Sequence, residues 1–178
     1  MKDYLLQVWN TIDPIYFKFT RLCYVTDHEQ QNSIFRVRLT RYKGSAVLLN
    51  DGTTIQKNDL LLKIHLHNVK MLKELQSIKS DMKRAIFIYH KIKNALPSLA
   101  RFVQLHDHSE KIKGIIGITS LYRGARRLGF EVVPIKSKIY RLFKHYAFCF
   151  IHYFATNSKK DQPVYLFMST NQLFTKYN

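Results

Sequence analysis

The stretch Ser120–Arg127 gathers a serine, a tyrosine and three arginines directly behind the apolar run Gly114–Ser120 (GIIGITS). An apolar strand followed by a short helix over Tyr122–Leu128 would aim unpaired backbone N–H groups beyond the strand end. Arg123 falls in the first turn of that helix, with Arg126 and Arg127 close behind. A guanidinium fork matches a carboxylate or phosphate, and a helix N-terminus adds partial positive charge, so the chemistry on offer is anion binding. In this reading Arg123 and Arg126 clamp the anion, and the Ser120–Tyr122 backbone donates hydrogen bonds. His65 and Asn68, at the end of an earlier strand, orient the ligand if the sheet brings them to the same edge. His65 is also the candidate general base of an enzyme acting on a sugar or phosphate ester. The plainer alternative leaves Arg123 and Arg126 solvated or paired with acids such as Glu131, with Gly124 permitting close packing and Gly129 capping the helix.

Other constellations are thinner. On a pleated strand Lys63, His65 and His67 share one face, about 6.5–7 Å from one to the next. Two such histidines can begin a metal site, and His106 and His108 form a second H-x-H pair. Lys63 would repel a cation, so a polar sheet face is the preferred reading, and no metal or other cofactor is expected. Cys23 and Cys149 stand too far apart in sequence for a C-x-x-C motif. The chain lacks a G-x-S-x-G elbow, a Walker A loop and G-x-G-x-x-G, which disfavours serine hydrolases and nucleotide triphosphatases. The second half offers only Asp107, Glu110, Glu131 and Asp161 as acids, a poor supply for paired-carboxylate glycoside hydrolysis.

The elements that must hold these residues can be read from periodicity. Tyr4, Leu5, Val8, Trp9, Ile12, Ile15 and Phe19 predict an N-terminal amphipathic helix over 1–20, ended or kinked at Pro14. Alternation over Ile34–Thr40 predicts a strand, followed by strands over Ala46–Leu49 and Leu60–His67, with Asn50-Asp51-Gly52 as a turn. A helical pattern runs from Val69 to Leu96, and Pro97-Ser98 reads as a new helix start. Strands are expected at Gly114–Ser120, Phe130–Pro134 and Pro163–Phe167. A long aromatic helix covers Lys138–Ala155, and Ser169 caps a final turn or two.

The chain has 178 residues, 46% hydrophobic and 13% aromatic, enough for one packed domain rather than a disordered basic tail. Lys and Arg number 29 against 12 Asp and Glu, a formal net charge of +17. Residues 1–89 hold 14 basic and 8 acidic residues and residues 90–178 hold 15 and 4, so the excess is concentrated in the second half. That excess, interleaved with Tyr140, Phe143, Tyr146, Phe148, Tyr153 and Phe154, fits a nucleic-acid surface, a helix lying on an anionic membrane, or a core-packed helix with one basic stripe. No RNP, KH, zinc-finger or helix-turn-helix pattern supports sequence-specific nucleic-acid readout. Neither an export signal nor an apolar stretch of membrane-spanning length is visible, which predicts a cytoplasmic protein or one peripheral to the membrane.

Two segments carry a family resemblance. Gly52–Asn68 (GTTIQKNDLLLKIHLHN) resembles G-x-x-I-x-x-G-D-x-hydrophobic-x-E-L-H-x-x-N, and Ser120–Phe130 (SLYRGARRLGF) resembles L-L-H-R-G-A-x-R-L-G-F. Together with the ending around Met168, Ser169, Leu173 and Tyr177, they resemble the YkoP-like family of small bacterial proteins, whose domain also occurs C-terminal to polysaccharide deacetylase domains. Asn58, Lys63 and Tyr122 depart from the Gly, acidic residue and His of those patterns. The resemblance implies a bacterial source and a link to cell-envelope polysaccharide, and supplies no catalytic residues. The combined expectation is one α+β domain over 1–178, with a central mixed sheet of about five or six strands. It would bind an anionic ligand such as an envelope glycan or its phosphorylated precursor through Ser120, Tyr122, Arg123, Arg126, His65 and Asn68. Nonspecific binding of nucleic acid or anionic membrane by the basic surface is the remaining alternative.

Overall fold

A computed structural model describes residues 18, 22–26, 32–66, 68–120, 122–147 and 162–178. In chain order the elements are β1 (Cys23–Thr26), β2 (Asn32–Arg41), β3 (Val47–Leu48), β4 (Thr54–Ile55), β5 (Leu60–Leu66), α1 (Asn68–Leu75) and α2 (Asp81–Gln104). They are followed by β6 (Ile112–Thr119), β7 (Glu131–Pro134), α3 (Lys138–Ala147), β8 (Val164–Ser169) and α4 (Thr170–Tyr177). The main sheet has six strands in the order β1-β2-β5-β6-β8-β7, and β3–β4 form a separate hairpin. Among the described residues only β5 and β6 run parallel; the other neighbours are antiparallel. This is the mixed-sheet α+β domain that the strand and helix pattern predicts. The expected N-terminal helix lies outside the described residues, Lys18 excepted, as does the expected continuation of α3 beyond Ala147.

Period-two alternation sorts the sheet into two buried faces. Phe35, Val37, Leu62, Ile115, Leu166 and Met168 turn towards Leu96, Leu99 and Val103 of α2 and Leu173 of α4. Leu61, Ile116 and Phe167 point the other way and pack with Tyr42, Leu49 and Ile55 around the β3–β4 hairpin. On that second face Tyr140 of α3 stacks on Tyr165 of β8, with centroids 6.5 Å apart and rings inclined by 22°.

The helical region differs from its sequence pattern in two ways. The run from Val69 to Leu96 is broken between Leu75 and Asp81, because Ser80 caps α2 by accepting the Lys83 N–H. Buried Arg84 then fixes the break by donating to the Ile78 carbonyl at 2.6 Å. Conversely, Pro97 lies inside α2 rather than starting a helix. Its ring deletes one backbone hydrogen bond, but Leu96, Leu99, Ala100 and Val103 around it are at most 1% exposed. Burial of that continuous apolar stripe outweighs the local proline cost. The short strands β1 and β4 carry too little alternation to stand out in the sequence.

Candidate functional site

The turn Asn50-Asp51-Gly52 closes the β3–β4 hairpin, with Gly52 at φ 83°, a conformation that favours glycine. Its tip is tied to the sheet by residues far away in sequence. The Asn50 N–H donates to Glu131 Oε1 at 2.6 Å, and the Ser169 hydroxyl donates to Oδ2 of Asp51. Ser169 is buried at the junction of β8 and α4, where its Oγ accepts the Gln172 N–H at 2.9 Å. One hydroxyl therefore caps α4 and holds the hairpin.

Between these parts lies a cleft of about 410 Å³, lined by Asn50, Asp51, Glu131, Ser169, Gln172 and Arg126 over a floor that includes Phe130, Val132 and Met168. Arg126 reaches it from the crossover between β6 and β7. That crossover contains a four-residue 3-10 turn, Ala125–Leu128, entered at Gly124 (φ 86°) and left at Gly129 (φ 90°). A Cβ on Gly129 would meet Lys176 Cδ and Met168 Cε at 3.4 Å and Gln172 Nε2 at 3.6 Å, ordinary contact distances, so it is the positive φ that favours glycine here. The polar lining mixes the donors Arg126 and Gln172 with the carboxylate acceptors Asp51 and Glu131.

Two carboxylates of the hairpin region are held below their ordinary value of 3.8. Burial alone would raise Asp51, but hydrogen bonds from Ser169 and Thr53 outweigh it. Burial also opposes ionisation of Asp59, and the Gln56 N–H and Lys113 ammonium, the latter 3.1 Å away, prevail. Folded values below the unfolded ones mean that this stabilisation is complete above about pH 3.8 and is lost as pH falls through the folded values. Urea unfolding of Asp59→Asn at pH 7 and pH 3 should show a penalty at the higher pH that shrinks at the lower one.

The six expected ligand residues do not meet in one place. Arg126 lines the cleft. Arg123 is exposed on the turn before Gly124 and makes a contact of its own. Ser120 is buried just beyond β6, and half-buried Tyr122 packs against the core on the α2 side. The crossover lies on that side too, for a Cβ on Gly124 would be 3.4 Å from the Tyr89 ring of α2. His65 alternates with Ile64 and Leu66, which face α2, and so belongs to the opposite face of the sheet. Asn68 opens α1 beyond the C-terminal end of β5. Because Gly114 pairs with Ser169 and Thr119 with Val164, Ser120 and the cleft lie at opposite ends of β6, about 20 Å apart along the strand. The helix N-terminus expected over Tyr122–Leu128 is a correction: the chain makes a 3-10 turn there, because two left-handed glycines confine it to four residues.

Among the described residues, no three His, Cys, Asp or Glu side chains are grouped so as to hold a metal ion. His67 and Cys149 lie outside those residues, and Cys23 is exposed with a free thiol. His106 Nδ1 accepts the His108 N–H at 3.0 Å, a local turn contact. Asp51 and Ser169 were legible only as part of a turn and as a helix cap, and Gln172 carried no signal of its own. Their meeting across 118 positions has no local signature.

A model of the YkoP domain matches residues 2–177. The chain is 47% identical over 181 residues to a Bacillus subtilis (strain 168) protein described as "Uncharacterized protein YkoP", covering 99% of this chain and 98% of that one. No solved structure matches.

Proposed function

We propose that this chain, which belongs to the YkoP family, is a binding domain whose cleft accepts a hydroxyl-rich ligand bearing one anionic group. The observation that carries this reading is the lining of the 410 Å³ cleft, where the Arg126 cation stands among hydrogen-bonding side chains of both senses. Its volume suits a small ligand, and sugar hydroxyls need donors and acceptors together. An acidic or phosphorylated sugar, such as an envelope glycan fragment or its precursor, would put its anion on Arg126. Its hydroxyls would meet Gln172, Glu131 and Asn50. Binding is favoured over catalysis because the Ser169 hydroxyl is engaged twice, by Asp51 and by the Gln172 N–H, which leaves it a cap rather than a poised nucleophile.

Calorimetric titration with sugar phosphates, uronic-acid oligosaccharides and their neutral counterparts tests the proposal. The acidic ligands should bind and the neutral ones should bind weakly or not at all. Arg126→Ala should weaken the acidic ligands by about tenfold or more, with Arg126→Lys in between because the fork is lost but the charge is kept. Equal affinities in parent and Arg126→Ala would overturn it.

A further inference from the structure

Exposed aliphatic side chains on α3 raise a separate question from the cleft. Ser137 starts this helix by accepting the Tyr140 N–H at 3.3 Å, and the Tyr140 ring packs inward on Tyr165. That seating turns Ile139 and Leu142, one helical turn apart, outward, where they are 85% and 56% exposed. Lys138 projects within the same arc, and Lys136 and Arg141 flank it. The charge is one-sided over a long distance. From Val132 to Lys160 the sequence contains no Asp or Glu, while Lys136, Lys138, Arg141, Lys144, Lys159 and Lys160 are basic.

We infer that the outer face of α3 docks on an anionic lipid bilayer, with Ile139 and Leu142 inserted at the headgroup boundary and Lys136, Lys138 and Arg141 set against lipid phosphates. An aliphatic pair ringed by cations is the pattern of a helix lying in the interface plane, where apolar burial and attraction to anionic lipid act together. A nucleic-acid surface would use the cations but would leave Ile139 and Leu142 without a role. Among the described residues no helix is long and apolar enough to cross a membrane, so the contact is peripheral. No residue of α3 lines the cleft, so the helix face does not call on Arg126.

Vesicle co-sedimentation of the full chain at about 0.15 M salt tests the inference, with phosphatidylcholine alone and with about 30 mol% phosphatidylglycerol added. The protein should bind the anionic vesicles and not the neutral ones. The double substitution Ile139→Ser/Leu142→Ser should weaken binding by about tenfold or more without changing the melting temperature, since both side chains are exposed. Lys136→Gln/Lys138→Gln/Arg141→Gln should weaken it similarly, and Arg126→Ala should leave it unchanged. Failure to bind anionic vesicles, or full binding by both multiple variants, overturns the inference. Retention of duplex DNA but not vesicles overturns it in favour of nucleic acid. A dimer abolished by Ile139→Ser/Leu142→Ser, with no vesicle binding, overturns it in favour of self-association.

Discussion

Gly114→Ala should destabilise the fold by about 3 kcal/mol or more, which for a chain of this length is a drop in Tm of about 6–12 °C. The cause is backbone geometry. An added Cβ at Gly114 would sit 2.6 Å from the Met168 carbonyl oxygen and 3.3 Å from the Ser169 Cα, and neither can rotate away. Gly114 is paired with Ser169 at the end of the β6–β8 ladder, so relief requires the strands to separate where the cleft is built. Gly117, in the same apolar run, provides the control. Its Cβ would meet the Ile64 side chain at 3.4 Å, an ordinary contact in the core, so Gly117→Ala should change stability by about 1 kcal/mol or less. Urea unfolding of both variants checks the pair. If Gly114→Ala falls within 0.5 kcal/mol of the parent, roughly the additivity error of such measurements, the close strand approach is wrong.

The same two glycines show what the sequence made legible. The run GIIGITS reads as a buried strand because its isoleucines are β-branched and turn markers bound it. Nothing in it tells which glycine is compressed, since that depends on β8, fifty residues away. Strands β2, β5, β6, β7 and β8 were all evident from local alternation or apolar runs. So was the Ser169 cap, because capping is chemistry within four residues. Pro97 misled because its local preference was overridden by burial of Leu96 and Leu99, a tertiary term. The ligand site divides along the same line. Arg126 was legible as a cation, though on an expected short helix rather than the 3-10 turn it occupies, whereas its neighbours Asp51, Glu131 and Gln172 arrive through register and hairpin docking. His65 and Asn68 sit at strand and helix ends that are adjacent in topology, but sheet alternation gives His65 to the other face.

Ser169→Ala should cost about 2 kcal/mol at pH 7, and the cost should divide into two parts that pH separates. About 1 kcal/mol is the cap of α4, because the Gln172 N–H loses its acceptor at a site only 2% exposed to solvent. The remainder, about 0.5–1 kcal/mol, is the bond to Asp51, kept small because that carboxylate faces water. Removing the hydroxyl takes away one of the interactions that hold Asp51 below 3.8, so its folded value should move back towards the unfolded one. The carboxylate part is therefore present above about pH 3.8 and vanishes as Asp51 is protonated, while the cap part persists at every pH. Asp51→Asn should remove that pH-dependent part together with what the Thr53 N–H gains from the Asp51 charge. The double variant Ser169→Ala/Asp51→Asn should then cost less than the sum of the single changes by that same 0.5–1 kcal/mol. Strict additivity of the two variants, with a Ser169→Ala penalty identical at pH 7 and pH 3, would mean that Ser169 is a helix cap and nothing more. The hairpin would then be held over the cleft by Glu131 and its apolar side chains.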